Sequence, residues 1–337
     1  MTSHAQKPTL VEQLSSREIL LLSPHMDDAM LSASSVVLDH PCEVWTVFTG
    51  APQPPQTTSW DLSCGFADSD ATIAARKKED ARAFAGSPAR MRHLDALEGA
   101  YATREQHRAA LPAIEMEIDA WMSAHPDGLV IAPACAGLHM PPPVWEPVAA
   151  GVRTLGQNLR ARRATLEARD VAPACEMSTS RLSEPGPTPP GRTPSAPRRV
   201  AAAVVGGGKG LLQRALHAEH VRRRRRTMGD DGLAANPDHL ALRDATLRVA
   251  ARHSGVQIVL VEDLPYLWHA RGDDEVARVE RSWGLRAHRV EVPVDVERKH
   301  AHLRAYASQL PVLDRRGRLL HPSHLPDHEV FWLLAPR

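Results

Sequence analysis

The sequence predicts an α/β protein: a mostly parallel sheet flanked by helices, with a proline-rich disordered insertion. Three observations predict it. Compact apolar runs such as Ile19-Leu20-Leu21-Leu22, Leu129-Val130-Ile131-Ala132 and Val256-Gln257-Ile258-Val259-Leu260-Val261 have the length and apolarity of buried strands. Stretches of helical periodicity alternate with these runs, the order expected when helices cover a parallel sheet. Residues 171–205 break the alternation, because Ser183-Glu184-Pro185-Gly186-Pro187-Thr188-Pro189-Pro190-Gly191 cannot pack as a regular element.

Taken in order, Ile19–Leu22 is a strand, followed through a polar loop by a helix over Ala29–Leu38. Glu43–Phe48 alternates as a second strand. Residues 51–60, with Pro52, Pro54 and Pro55, form a loop. Helices follow at Ala71–Ala85 and Glu105–Ala124, the second leading into the strand Leu129–Ala132. Helical pieces at 145–168 and 209–226 flank the insertion. Leu240–Leu247 continues a helix into the core strand Val256–Val261. Val290–Pro293 suits an edge strand, where proline is tolerated, and Val296–Gln309 is a late helix. The expected organisation is a flexible N-terminus over 1–16, then one domain over 17–337 interrupted at about 171–205.

A net charge of +1 over 337 residues gives no general attraction to nucleic acid or membrane. Met1 to Ser16 lacks the apolar core of a signal peptide, and no apolar run approaches the ~20 residues of a membrane helix. Cys42, Cys64, Cys135 and Cys175 have no metal-like spacing and read as reduced thiols of a cytoplasmic protein. The five arginines Arg222–Arg226 suit an anionic partner or a solvated helix end; without interleaved aromatics the solvated end is the better reading. Gly206-Gly207-Gly208-Lys209-Gly210 lacks the Lys-Ser/Thr ending of a phosphate loop.

The chemistry lies in Ser23-Pro24-His25-Met26-Asp27-Asp28, at the end of the first strand. In an open α/β sheet, ligands bind on such strand-to-helix loops. One imidazole and one carboxylate suit a zinc ion, and the second carboxylate is left to take a proton from water. The plainer reading is that both acids cap the following helix. A distant segment, Asn236-Pro237-Asp238-His239, opens another helix and offers His239 as a third ligand. His139, after the strand ending at Ala132, is a candidate for the same pocket. His93, His253 and His269 have no supporting pattern, and Cys135 has no identifiable base.

Together these segments resemble the PIG-L/LmbE-like zinc-dependent N-acetylglucosaminyl deacetylases, which carry Pro-His-x-Asp-Asp after the first strand and His-x-Asp-His later. Trp60–Phe66, Arg76-Lys77-Lys78-Glu79, Leu94–Tyr101, Glu262-Asp263-Leu264-Pro265-Tyr266, Lys299 and Tyr306–Gln309 are similar to further family segments. The resemblance covers roughly 17–150 and 228–335. It implies a Rossmann-like sheet, a metal held by His25, Asp28 and His239, and Asp27 as general base. Asp238 would orient the residue at 236, and Arg76 and Asp95 would contact substrate. Asn236 stands where the family has His, and an Asn donates a hydrogen bond but delivers no proton at pH 7.

The expected function is hydrolytic removal of an acetyl group from an N-acetylated amino sugar or its glycoside, in secondary-metabolite biosynthesis. The cofactor is Zn2+, with Fe2+ fitting the same ligands, and the partner is the small-molecule substrate. Two alternatives stand beside it. One is a sugar-binding or regulatory homologue impaired by Asn236. The other is a zinc amidase acting on a mycothiol-like conjugate.

Overall fold

The computed structural model describes residues 10–134, 236–268, 272–314 and 316–337. Cys135, His139, Cys175, Arg222–Arg226, His269 and the segments expected at 145–168, 171–205 and 209–226 lie outside the described residues. The chain divides into two units, Met1–Pro141 with Asp230–Arg337, and Pro142–Gly229, and the described residues fall in the first.

The sheet of that unit has seven strands. β1 (Ile19–Ser23) lies between β2 (Glu43–Thr46) and β4 (Leu129–Pro133), with β3 (Arg90–His93) outside β2 and β5 (Gln257–Val261) outside β4. These five run parallel. β7 (His328–Pro336) pairs antiparallel with β5, and β6 (Leu285–Pro293) closes the edge antiparallel to β7. The continuous apolarity of β1 and β4 follows from burial on both faces. Alternate side chains enter two cores: Ile19, Leu21 and Ile131 face one, and Leu20, Leu22 and Val130 face the other.

The first core is completed from α2 (Asp28–Ser32) and α3 (Ser34–Asp39) by Met30, Val36 and Val37, and from α9 (Val296–Leu303) by Leu303. The second takes Ile114 and Ile118 from α6 (Arg104–Ala124), Leu242 from α7 (Pro237–Ala250), and Val276 and Val279 from α8 (Gly272–Trp283). α4 (Ser59–Cys64) and α5 (Ser69–Ala83) follow the proline-rich loop, and Ser59 already belongs to α4.

Three expectations change and one strand is added. The helix expected over Ala29–Leu38 breaks at Ala33, because the Glu329 carboxylate of β7 takes the backbone N–H groups of Ser34 and Ser35 at 2.8 and 2.9 Å and so caps a new helix. The break also sets the Ser32 hydroxyl to accept from Leu264 N at 3.1 Å, tying down the turn after β5. The late helix ends at Leu303 and resumes as α10 (Leu310–Leu313); between them Tyr306 bonds Asp80 and Ser308 bonds Glu79. The N-terminal boundary moves, since Leu10–Ser16 is a helix, α1, that buries Leu10 and Leu14. Finally β3, Arg90-Met91-Arg92-His93, is a strand without a buried face, so its sequence carried no apolar signal.

Among the described residues, no helix is long and apolar enough to cross a membrane.

Candidate metal centre

Strand order reverses about β1 and β4, and the crevice at the carboxyl ends of these strands is where ligands bind in open α/β sheets. The Ser23–Asp28 loop lies there. It is fixed from within: the Ser23 hydroxyl donates to His25 O at 2.7 Å and accepts from Ala29 N at 3.1 Å, while Asp28 Oδ2 accepts from His25 N at 2.9 Å. Asp27 occupies the cap position of α2, yet its side chain makes no capping bond. The capping explanation for this acid therefore fails.

His239 reaches the loop from the first turn of α7, where Pro237 occupies a position that needs no backbone donor. Asp28 Oδ2 lies 3.1 Å from His25 Nδ1 and 3.1 Å from His239 Nε2. The ligand atoms of all three residues fall within 4.8 Å of one another, and all three residues are buried. Two ligands ~2.1 Å from a tetrahedral ion are about 3.4 Å apart, so the spacing fits a shared cation. His239 Nε2 is buried without an aligned hydrogen bond, as a nitrogen intended for a metal would be. The opposite nitrogen of each ring is held: His239 Nδ1 donates to Asp263 Oδ1 at 2.6 Å, and His25 Nε2 donates to Asp238 Oδ2 at 3.0 Å. These bonds leave the nitrogens that face Asp28 as the ones able to exchange a proton for a metal.

Electrostatics agree with that arrangement. Burial opposes charge on both imidazoles, but Asp238 and Asp28 raise the His25 pKa, and Asp28 with Asp263 pushes His239 up to about 9. Asp28 is held well below the carboxylate range in spite of its burial, chiefly by His239 and His25. Asp27 behaves oppositely. Burial, then the like charge of Asp28, pushes it up to about 6, against the pull of Arg76 and His25. Its Oδ2 is buried and has no hydrogen-bond partner. A carboxylate ionised near neutrality, beside three ligands but outside their set, is placed to accept a proton.

The other expected residues are distributed differently. Arg76 is 3% exposed, pairs with Glu98 at 3.1 Å and supports the ionised form of Asp27 electrostatically. Asp95 is exposed, pairs with Lys77 at 2.7 Å and accepts from Thr49. Asp238 does not orient the side chain at 236. Its carboxylate holds His25 and accepts from Gly99 N, because its position on the first turn of α7 directs it behind His25. Asn236 instead caps α7 through Oδ1, accepting from Asp238 N at 3.0 Å, and its amide donates to the Tyr266 hydroxyl at 3.4 Å. The Tyr266 ring stands edge-on to His239 at 5.3 Å.

Sequence reading missed Asp263, Tyr266, Glu98, Gly99 and His107 as parts of the site. Asp263 was signalled by its position just past a core strand. His107 carried no signal, lying in the polar run Arg104-Glu105-Gln106-His107-Arg108. Cys64 approaches the same region, but burial pushes its thiol up to about 12, so it stays protonated.

Comparison with solved structures finds this fold in the zinc-inhibited form of teicoplanin deacetylase Orf2, with a TM-score of 0.55 and 18% identity over 95% of this chain and 98% of that one. A complex of a deacetylase with teicoplanin gives 0.53 and 19%, over 95% and 99%. The A40926 pseudoaglycone deacetylase Dbv21 gives 0.51 and 21%, over 94% and 97%. No family model matches the chain, and no curated protein matches it in sequence.

Proposed function

We propose that this protein is a metal-dependent hydrolase that removes an acyl group, acetyl in the simplest case, from the nitrogen of an amino sugar or its glycoside. The observation that carries the reading is the convergence of His25, Asp28 and His239, with the partnerless Asp27 Oδ2 beside them. The shared fold of deacetylases described with glycopeptide substrates supports the substrate class, as does the resemblance of the motifs to PIG-L/LmbE-like enzymes. Reduced, buried Cys42 fits a cytoplasmic setting.

His25, Asp28 and His239 would hold a divalent metal, which when bound would supply Lewis-acid polarisation of the amide carbonyl and a lowered pKa for water. Asp27 takes the proton of the attacking water at its carboxylate and, once protonated, returns it to the departing nitrogen. Arg76 favours the ionised form of Asp27 with which that cycle begins. Asn236 and the Tyr266 hydroxyl form the polar edge beside His239, and the neutral amide donates to the oxygen that gains charge. Asp263 and Asp238 hold the two imidazoles in their ligand tautomers.

The test is metal analysis of the purified protein coupled to an acyl-release screen over N-acyl glucosamine derivatives, including glycopeptide-borne ones. One fold neighbour is described in a zinc-inhibited form, so Fe2+ and Co2+ belong beside Zn2+ in that screen. About one metal per chain and release that Asp27→Asn abolishes support the reading. A protein that takes up no divalent metal refutes it.

A further inference from the structure

We propose that His107 is a positioning residue of this centre: acting through Asp238, it fixes the tautomer and orientation of His25 and so sets how tightly the metal is held. The inference rests on the metal reading above. His107 lies on the first turn of α6, whose start is set by a reciprocal cap between Thr103 and Gln106. Its ring stacks on the fully buried Phe48, with centroids 5.0 Å apart and planes 20° apart. Nε2 lies 3.0 Å from Asp238 Oδ1, a close but angled contact. The other oxygen, Oδ2, lies 3.0 Å from His25 Nε2.

Carboxylate oxygens accept, so the two ring nitrogens that face them act as the donors. That arrangement leaves Nδ1, 3.1 Å from Asp28 Oδ2, as the His25 nitrogen open to a metal in exchange for its proton. Gly99 completes the cradle by donating its N–H to both carboxylate oxygens at 3.1 and 3.0 Å. A Cβ at this position would come within 2.8 Å of Asp238 Oδ1. The carboxylate is therefore gripped from three sides, and His107 is the one grip supplied by α6. Without it, Asp238 keeps only the grips of Gly99 and His25, and the ring it steers is held less firmly. Groups that orient metal-bound histidines are worth roughly 10–100-fold in affinity.

The experiment uses full-length protein stripped of metal and titrated with Zn2+ against a chromogenic chelator. His107→Phe keeps a ring on Phe48 and removes the N–H; His107→Gln restores a donor of similar reach. Zn2+ binding weakened about 10–100-fold in His107→Phe and largely restored in His107→Gln supports the inference. Long-range 15N spectra of the wild type, with the His107 signals identified by their loss in His107→Gln, read the tautomer even if His107→Phe does not fold. Hydrogen on Nε2 of both His25 and His107 is expected. Equal Zn2+ affinity in wild type and His107→Phe, or hydrogen on His107 Nδ1 alone, overturns this inference and leaves the function intact. No Zn2+ uptake by the wild type overturns both.

Discussion

Replacing Asp27 with Asn removes a charge that the fold holds at a cost. The carboxyl ordinarily titrates near 3.8 and is pushed up to about 6 here, first by burial and then by Asp28. At about 1.4 kcal/mol per tenfold change, that difference is a penalty of about 3 kcal/mol on the ionised form. The sign follows from proton binding. Between pH 3.8 and 6 the folded chain holds more protons than the unfolded one, so stability falls as the pH rises through this window. The penalty is complete above pH 6 and absent below 3.8. Asn is never charged, but burying its amide without a partner costs about 1–2 kcal/mol. The net expectation for metal-free Asp27→Asn at pH 7 is a gain of about 1–2 kcal/mol, or roughly 2–8 °C in Tm for a unit of this size. The gain should shrink steadily toward pH 4. Turnover should drop about 10²–10⁴-fold with metal content unchanged. The assays are thermal unfolding of chelator-treated protein across pH, metal analysis, and acyl release. Loss of about 1 kcal/mol at pH 7 would mean that the carboxylate caps α2 after all, and loss of the metal would make it a ligand; either result refutes the reasoning.

Asp263→Asn should weaken metal binding roughly 10–100-fold by freeing His239 Nδ1, as read by chelator competition. Because His239 is pushed up to about 9, metal uptake at pH 7 must displace protons; calorimetry in buffers of different ionisation enthalpy should show their release, diminishing above pH 9. Glu329→Gln leaves Lys299 buried without a counter-charge and should cost about 3–5 kcal/mol in denaturant unfolding. The pKa of Glu329 is lowered against the burial that opposes charge, mainly by Lys299, so its contribution is present above the usual 4.5 and lost as the pH falls through its folded pKa. Asn236→Ala should lower turnover about 10²–10³-fold and remove the α7 cap, while Asn236→Ser keeps a cap and separates the two effects.

The alternation of apolar runs and helical stretches, the metal-type motif after β1 and the second motif opening α7 were all readable from the chain alone. They are local patterns: burial on two faces makes β1 and β4 continuously apolar, and a helix start needs only its neighbours in sequence. The polar strand β3 and the break at Ala33 were not readable. The first pairs through its backbone, and the second depends on a carboxylate 295 positions away at Glu329. The same holds within the site. Residue types named His25, Asp27, Asp28 and His239 as candidates and the family resemblance set Asp27 apart, while the distances that make three of them one cluster follow from where the loop folds. How open Arg76 and Asp95 are was not written in their motifs, because exposure is a tertiary property: Arg76 is buried in a pair with Glu98 while Asp95 faces solvent. Asp238 reaches His25 across 213 positions, and His107 and Gly99 meet it only because the sheet sets the starts of α6 and α7 at one crevice. Ligand types are written locally; the groups that aim them come from wherever the topology places a donor, and no spacing rule records that.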